Sequence, residues 1–410
     1  MISALHDLRI VTGATAAVVT LPGSVELLTL SLSALIPQRL RSRRTSLPIP
    51  WRVAIVIPAH NEESGIAACV RSLLNADISD MPVDIYVIAD NCSDKTAEIA
   101  RASGARVIER NNLAERGKGY ALNFAFTTLA TEKYHCYLVV DADTAVASNF
   151  IVAAAGRMRE GAPAVQARYL VSNLEESIRT RLMGLALRAF NVVRPLGREH
   201  LGLSAGILGN GFGLSAETLQ AVPYLASSVV EDLEYHLSLV RSGRRVTFVD
   251  ETTVYGEMPV RGKGVKTQRS RWEGGRLRML FEKSPDLAAK VLRGELKMLE
   301  PLLELLLLPL AFHVALLAVA LSAPQFTVRC VASAGLAIVL LHLTAAIVVG
   351  GGTWRDALTL LASPFYILWK LMMIPALLKN ARSNNAWIRT DRNSELTGSE
   401  ERSSVEIDRN

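Results

Sequence analysis

Cysteine, aromatic residues and charge are all scarce in this sequence. The four cysteines lie far apart and form no Cys-x-x-Cys pair, so the sequence indicates neither a structural zinc site nor a disulfide framework, and it fits a reducing compartment. Aromatic residues make up 6% of the chain and charged residues 20%, whereas 50% of the residues are hydrophobic. This composition excludes a disordered chain and a collagen-like repeat, and it argues against a purely cytosolic protein.

The length and the net charge set broad bounds on the fold and the partners. A chain of 410 residues is long enough for two or three domains. Lysine and arginine number 45 against 39 aspartates and glutamates, which leaves a formal charge of +6. This modest excess suits the surface of an anionic membrane or a polyphosphate ligand. We expect a lipid bilayer as a partner and no nucleic acid.

The first long apolar run lies near the N-terminus. From Ile10 to Ile36 the chain carries a single charge, Glu26, and at ~1.5 Å per residue a helix of this length can cross a hydrocarbon core of ~30 Å. Four arginines follow directly, at positions 39, 41, 43 and 44. The positive-inside rule places that flank in the cytoplasm.

Three further apolar segments close the chain: Leu299–Leu321, Val328–Val349 and Ala357–Leu378. The last two are predicted membrane spans, whereas Pro301, Glu304 and Pro309 leave an interfacial position open for part of the first. Basic residues after the last segment argue for a cytoplasmic C-terminus, but three spans would place it outside. The side of the C-terminus therefore stays open.

The polar middle of the chain reads as one soluble domain. Short runs rich in Val and Ile alternate with helical stretches, which predicts a doubly wound α/β sheet with ligands at the carboxyl ends of its strands. The predicted strands are Val53–Ile57, Ile85–Ala89, Arg106–Ile108 and Tyr137–Val140. The predicted domains are an N-terminal membrane helix with its basic flank (1–49), the α/β domain (50–284), an interfacial segment with C-terminal membrane helices (285–379) and a disordered polar tail (380–410).

Acidic and amide residues follow three of these strands. The clusters contain Glu62, Asp90 and the pair Asp141 and Asp143. Each cluster alone could simply cap a helix, but two carboxylates one residue apart repel unless a cation or a donor lies between them. Carboxylate oxygens suit Mg²⁺ or Mn²⁺. A divalent ion there could hold a diphosphate.

Four later motifs could complete such a site, and each also has a simpler reading. A basic glycine loop containing Lys118 could reach a phosphate or be a solvated turn. A glycine-dense turn, Gly209–Gly213, could line a cleft or be an ordinary turn. A carboxylate of Glu231 or Asp232 could act as a general base or cap a helix. Gln268, Arg271 and Trp272 would share one helix face, which could bind a diphosphate and a sugar or lie at a membrane surface.

The motifs in this order resemble the inverting family-2 glycosyltransferases, and more narrowly the membrane-integrated branch of cellulose, hyaluronan and poly-N-acetylglucosamine synthases. The resemblance covers about Trp51 to Phe281 and depends on the Asp-x-Asp, Glu-Asp and Gln-x-x-Arg-Trp series. It implies a GT-A (Rossmann-like) α/β domain flanked by transmembrane helices, a nucleotide-sugar donor, usually a UDP-sugar, and a Mg²⁺ or Mn²⁺ ion. The glycine-dense turn departs from the acceptor stretch of cellulose synthases, so a cellulose product is not implied.

The resemblance also implies roles by position. Glu62, Asp90, Lys118, Asp141 and Arg271 would bind the donor. Asp143, with Asp141, would hold the metal. The catalytic carboxylates would be Asp232, as the base, and Glu231; the acceptor would lie along Gly211, Gln268 and Trp272.

The function predicted from these roles is sugar transfer with inversion to a growing cell-surface polysaccharide or glycan. Partner subunits for export or polymerisation could complete this system. The alternative is the addition of a single sugar to a lipid-linked acceptor. A nucleotidyltransferase on a similar sheet and an inactive binding domain are weaker alternatives, since the first leaves Gln268–Trp272 unexplained. The predicted location is the inner (plasma) membrane, multi-pass, with a cytoplasmic catalytic domain.

Overall fold

The computed structural model describes residues 2–37, 51–226, 228, 230–258 and 263–375, without the side chains of residues 2–5 and 263–272. These residues form two compact units. The sheet unit contains residues 51–180 and 206–275, and the helical unit contains residues 2–37, 181–205 and 276–375. This division differs from the contiguous boundaries expected above, because a segment inside the α/β sequence, 181–205, groups with the apolar helices. The arginines at 39–44 and the tail after 375 lie outside the described residues.

One eight-stranded sheet forms the centre of the sheet unit. Its strand order is β3-β2-β1-β4-β7-β6-β8-β5. Strands β1, β2, β3 and β4 pair in parallel, as the alternation of strands and helices predicts. Antiparallel pairs join β7 to β4 and to β6, and β5 to β8. The strands are β1 (Val53–Ala59), β2 (Val83–Asp90), β3 (Arg106–Arg110), β4 (Cys136–Val139), β5 (Thr144–Val146), β6 (Ala164–Val171), β7 (Phe212–Ser215) and β8 (Val246–Gly256).

Helices cover both faces of this sheet. Alternate residues of β1 enter opposite cores: Val53, Ile55 and Ile57 lie in one, and Ala54 and Val56 lie in the other, as the two-residue period of a strand requires. The α-helices are, in chain order, α1 (Ile2–Leu35), α2 (Ile66–Leu74), α3 (Thr96–Ala102), α4 (Lys118–Leu129), α5 (Phe150–Arg159), α6 (Ile178–Arg188), α7 (Arg194–His200), α8 (Ala216–Ala221), α9 (Glu231–Arg241), α10 (Lys263–Leu292), α11 (Leu299–Leu306), α12 (Leu310–Leu321), α13 (Phe326–Val348), α14 (Trp354–Thr359) and α15 (Ser363–Met372).

Two helices among the described residues are long and apolar enough to cross a membrane, His6–Leu35 within α1 and Phe326–Val348, which is α13. The predicted segment Leu299–Leu321 is instead a pair of helices bent by 80°. Pro309 stands at the break, where a residue without an N–H cannot continue a helix. The predicted span Ala357–Leu378 runs past the described residues, which end at 375; within them it contains the second half of α14 and all of α15, with a 3₁₀ turn at Leu360–Ala362 between the two.

Polar side chains join α1 to the rest of the helical unit. Ser24 hydrogen-bonds the Nε2 atom of His313 at 3.1 Å, and Ser31 hydrogen-bonds the Nδ1 atom of His342 at 2.8 Å. The Oε1 atom of Glu26 accepts a hydrogen bond of 2.9 Å from Arg198. Because a buried carboxylate needs a partner, this ion pair explains how one charge fits within an otherwise apolar helix.

Close packing of backbones fixes the crossing of α1 and α7. A β-carbon added to Gly197 would stand 2.4 Å from the carbonyl oxygen of Leu30. The imidazole of His200 hydrogen-bonds the carbonyl oxygen of Ser33 at 2.8 Å. The segment between α6 and α7 is a π-helix, Ala189–Val193. Residues 181–205 are thus attached to the apolar N-terminal helix by both packing and polar contacts.

Candidate functional site

The candidate site lies at the carboxyl edge of the parallel strands. Strand β1 is hydrogen-bonded to β2 on one side and to β4 on the other. The chain changes direction across the sheet between β1 and β4, and such a switch point opens a crevice beside the strand ends. Asp90 is the last residue of β2, and Asp141 is the second residue after the end of β4. The strands therefore bring distant acidic residues to one edge.

Hydrogen bonds fasten the loops after β1 and β2 to each other. The side-chain oxygen of Asn61 accepts a 2.8 Å hydrogen bond from the N–H of Ser93. The N–H of Glu62 donates to the hydroxyl of Thr96 at 2.7 Å. Asn61 and Asn91 both have left-handed backbones, with φ of 55° and 51°, which asparagine adopts more readily than most residues. Glu62 is thus held, 8% exposed, at the site edge.

A buried ion pair holds Asp90 in place. The Nη1 atom of Arg110 donates to Oδ1 of Asp90 at 2.7 Å, and the two side chains are 6% and 7% exposed. Arg110 also pairs with Glu115 at 2.9 Å. The sheet register explains the pair, because Asp90 and Arg110 are partners on the adjacent parallel strands β2 and β3.

Lys118 connects the strand ends to the glycine-dense turn. It is the first residue of α4, after Gly117, whose φ of 123° suits glycine. Its ammonium group donates to Oδ1 of Asp141 and to the carbonyl oxygen of Gly209. Burial lowers the pKa of Lys118, but the carboxylates of Asp141, Glu231 and Asp232 outweigh this effect, so the pKa is raised.

Glu231 and Asp232 open helix α9 on the other side of the same turn. A β-carbon on Gly209 would lie 3.2 Å from Oδ2 of Asp232, and Oδ1 of Asp232 accepts a 2.8 Å hydrogen bond from the N–H of Leu233. Burial, and then the charge of Asp232, raise the pKa of Glu231 to about 8, although Lys118 opposes them. The pair therefore holds a proton more readily than an ordinary carboxylate pair.

Asp143 lies beyond Asp141, in the turn between β4 and β5. The nearest chain is the start of α2: a β-carbon on Gly65 would stand 3.6 Å from the Cα atom of Asp143. Burial, and then the charge of Asp143, raise the pKa of Cys69 on the same helix. Lys118 thus bonds Asp141, and Asp143 lies beside the start of α2.

Asn210 is a site residue that the sequence analysis missed. Its Oδ1 atom accepts a 3.1 Å hydrogen bond from the N–H of Asp141, and its Nδ2 atom donates to the hydroxyl of Thr144 at 2.7 Å. Asn210 is 1% exposed. It stands within the glycine-dense run, but no sequence pattern indicates that its side chain fixes the backbone of the Asp-x-Asp segment.

The structure gives Gly211 a packing position within the sheet. Its N–H donates to the carbonyl of Val139 and its carbonyl accepts from the N–H of Ala167. Its φ is +69°, and a β-carbon would stand 2.6 Å from a methyl group of Val254. The predicted role of Gly211 in acceptor binding stays a prediction.

Three predicted residues lie on α10, whose backbone is helical as expected. The side chains of Gln268, Arg271 and Trp272 are outside the described part of the structure. One turn after Arg271, Gly275 meets the start of α9, since a β-carbon there would stand 2.8 Å from Cγ1 of Val230. The helix that carries these three residues therefore passes next to the Glu231–Asp232 pair.

The carboxylate oxygens of Asp141 and Asp143 suit a divalent cation whose remaining ligands come from a bound substrate. Within the described residues, no group of three or more His, Cys, Asp or Glu side chains could hold a metal ion. Mg²⁺, however, is usually bound by one or two carboxylates together with substrate phosphates. Both aspartates are half-buried rather than enclosed, so phosphate oxygens can approach them.

The family model described as glycosyltransferase like family 2 matches residues 50–275. The chain is a family-2 glycosyltransferase. The match spans the sheet unit from strand β1 to the first part of α10 and includes each predicted site residue. A mannosyltransferase from Pyrobaculum calidifontis, solved with GDP-Man and Mn²⁺, is similar over 89% of this chain and 99% of its own, with 17% identity and a TM-score of 0.52. That likeness shows the GT-A fold.

Two curated relatives are similar to this family-2 enzyme over a little more than half of its chain. The probable glycosyltransferase YdaM of Bacillus subtilis is 27% identical over 235 residues, which are 55% of this chain and 55% of the relative. The beta-monoglucosyldiacylglycerol synthase of Trichormus variabilis is 30% identical over 243 residues, which are 57% of this chain and 50% of the relative. The chain spans about half the length of the curated relatives it matches.

Proposed function

We propose that this family-2 enzyme transfers a sugar, with inversion, from a UDP-sugar to a hydroxyl group of an acceptor at a membrane. The observation that carries the proposal is the convergence of Lys118, Asp141, Glu231 and Asp232 around Gly209 at the carboxyl edge of the sheet. A cation and several carboxylates at one switch point suit a diphosphate donor and a general base.

Asp232 is the proposed general base. In this step the acceptor hydroxyl loses its proton to Asp232, the acceptor oxygen forms a bond to the anomeric carbon, and the bond from that carbon to the diphosphate oxygen breaks. Asp232 is held by the N–H of Leu233 and lies against Gly209, so its position is fixed before substrate arrives. A positioned base contributes about 10²–10⁴-fold to the rate.

Donor binding is the proposed role of residues on the strand side of the site. Glu62 and Asp90, held by the loop contacts and by Arg110, border the nucleoside. Lys118 is within reach of a diphosphate near Asp141. Arg271 steadies the leaving diphosphate, and Gln268 and Trp272 border the acceptor.

Asp143 and Asp141 are the residues that would hold Mg²⁺ or Mn²⁺. When bound, the ion would neutralise charge on the departing diphosphate. The ammonium of Lys118, which bonds Asp141, places a positive charge of this chain on the same side of the site.

The proposed location is a membrane, with the helical unit as anchor. Helices α1 and α13 have the length and composition of membrane spans, and the apolar side chains Val18 and Leu340 on them are 70% and 59% exposed. Exposed apolar surface of this kind fits lipid. The multi-pass inner-membrane placement with a cytoplasmic site stays part of this proposal.

The proposed acceptor is a membrane lipid or a lipid-linked sugar. Support comes from the relative named beta-monoglucosyldiacylglycerol synthase, at 30% identity over half of its length. A growing polysaccharide or glycan, with export or polymerisation subunits, is the second candidate; the Gln-x-x-Arg-Trp series on α10 favours it by resemblance. Gel analysis of product length from radiolabelled donor separates the two.

The test uses the full chain, purified in nanodiscs that contain diacylglycerol, with a panel of UDP-sugars. We expect release of UDP, a product of inverted anomeric configuration, and loss of turnover in Asp232→Asn with UDP binding retained. Glu234→Gln serves as the control, because it is also an acid-to-amide change and lies on the same helix, two residues after Asp232. Near-normal turnover in Asp232→Asn would remove the proposed mechanism.

A further inference from the structure

Apart from Arg355, the exposed residues of α14 and α15 are apolar, and several of the buried ones are polar or charged. Every exposed position from 357 to 375 carries an apolar residue. The buried residues of the same stretch include Thr359 at 9% and Lys370 at 2% exposure, and Asp356, just before it, is 2% exposed. A helix that packs on a protein and faces water instead buries its apolar residues and exposes its polar ones.

The exposed apolar residues form one continuous stripe. Their spacing alternates between four and three residues, so they stay on one helix face through the 3₁₀ turn between the helices. Individual exposures run from 54% for Leu358 to 78% for Leu361 and Phe365. This outer stripe consists of Trp354, Leu358, Leu361, Phe365, Leu368 and Met372.

Buried charged groups lie on the inner side of both helices. The Nη1 atom of Arg188 donates to Oδ2 of Asp356 at 2.8 Å, and both side chains are buried. The same carboxylate accepts from the N–H of Thr353, which fixes the start of α14 in a capping box. At the other end, the ammonium of Lys370 lies 5.9 Å from the ring centre of Tyr366 on its own helix.

We infer that the outer stripe of α14 and α15 contacts the acyl chains of the bilayer, although neither helix is long enough to be a span. Lipid is the expected contact because the outer stripe lies next in the chain to α13, a candidate membrane span. Only residues 349–353 separate α14 from α13, on which Leu340 and Val348 are 59% and 65% exposed. Trp354 and Arg355 stand where the two helices meet, and Trp and Arg favour the headgroup level.

The inference rests on the membrane location proposed above and names a further surface that meets the lipid; it does not depend on the proposed reaction. Its test is site-directed spin labelling of the full chain in phosphatidylcholine–phosphatidylglycerol nanodiscs. The background carries Cys92→Ser and Cys330→Ala, because Cys69 and Cys136 are buried. Nitroxides at Leu361→Cys and Phe365→Cys are compared for collision with oxygen and with a water-soluble nickel complex.

Two exposed leucines supply matched controls. Leu340→Cys, on α13, marks a candidate span, and Leu113→Cys, 70% exposed in the sheet unit, marks water contact. We expect the stripe labels to lose nickel collisions and keep oxygen collisions, as at Leu340. Nickel access like that at Leu113 would overturn the inference. So would protection from both reagents that depends on protein concentration, since a second copy would then cover the stripe.

Discussion

Gly209 lies directly against Asp232. A β-carbon added to Gly209 would stand 3.2 Å from the Oδ2 atom of Asp232, and the carbonyl of the same glycine accepts a hydrogen bond from Lys118. One residue of the glycine-dense turn thus sets the positions of both the proposed base and the cation beside it.

Gly209→Ala should lower kcat by more than its effect on the free energy of unfolding would explain. The added methyl group pushes the Asp232 carboxylate away, and a displacement of about 1 Å near the reacting atoms can cost about 10²-fold in rate. Gly243→Ala is the control, because Gly243 has nearly the same φ (76° against 81°) but nothing within 4 Å of its β-carbon position. Equal rate losses in the two variants would refute this role of Gly209.

Lys118→Met should weaken UDP binding. The substitution removes the ammonium that bonds Asp141 and Gly209, and it leaves Glu231 and Asp232 without that charge. A charge-assisted hydrogen bond contributes about 1.5–3 kcal/mol, so we expect Kd for UDP to rise by about 10–100-fold. Calorimetric titration measures the change. Lys133→Met, at the opposite end of β4 and exposed, should leave Kd unchanged.

The pH dependence of stability should reveal the raised pKa of Glu231. In the folded chain its pKa is about 8 against an ordinary 4.5, so folding favours the protonated form. The stabilisation is complete below about pH 4.5 and is lost as the pH rises through the folded value, by at most about 1.4 kcal/mol per pH unit.

Thermal unfolding of donor-free protein from pH 5 to pH 8 provides the measurement. The melting temperature of the natural chain should fall relative to Glu231→Gln over this range, because glutamine does not titrate. Glu234→Gln should follow the natural chain. Parallel curves for the natural chain and Glu231→Gln would contradict the prediction.

Gly211→Ala should destabilise the sheet unit. Its β-carbon would lie 2.6 Å from a methyl group of Val254, and overpacking of this kind costs about 1–3 kcal/mol. The Gly211→Ala, Val254→Ala double variant lacks the two methyl groups of Val254 that the new β-carbon would meet. It should therefore recover part of the lost stability, as measured by the melting temperature. If the double variant is stable but has a raised KM for acceptor, Gly211 also takes part in acceptor binding.

The sequence by itself predicts the first half of the sheet unit closely. Strands β1 to β4 begin and end within two residues of the predicted positions, because buried parallel strands are short unbroken runs rich in Val and Ile. Strands β5 to β8, which pair with each other in both antiparallel and parallel fashion, were not predicted, since their hydrophobic runs are short or interrupted. Tertiary packing, rather than local pattern, makes them strands.

The order of the Asp-x-Asp, Glu-Asp and Gln-x-x-Arg-Trp series was enough to indicate the family, because chemistry demands particular side chains at strand and helix ends. Only the folded chain decides which of those side chains touch. Lys118 reaches Asp141, Arg110 holds Asp90, and Asn210 fixes the backbone between them. These contacts join residues up to 69 positions apart, and loop closure over such distances leaves no trace in local sequence.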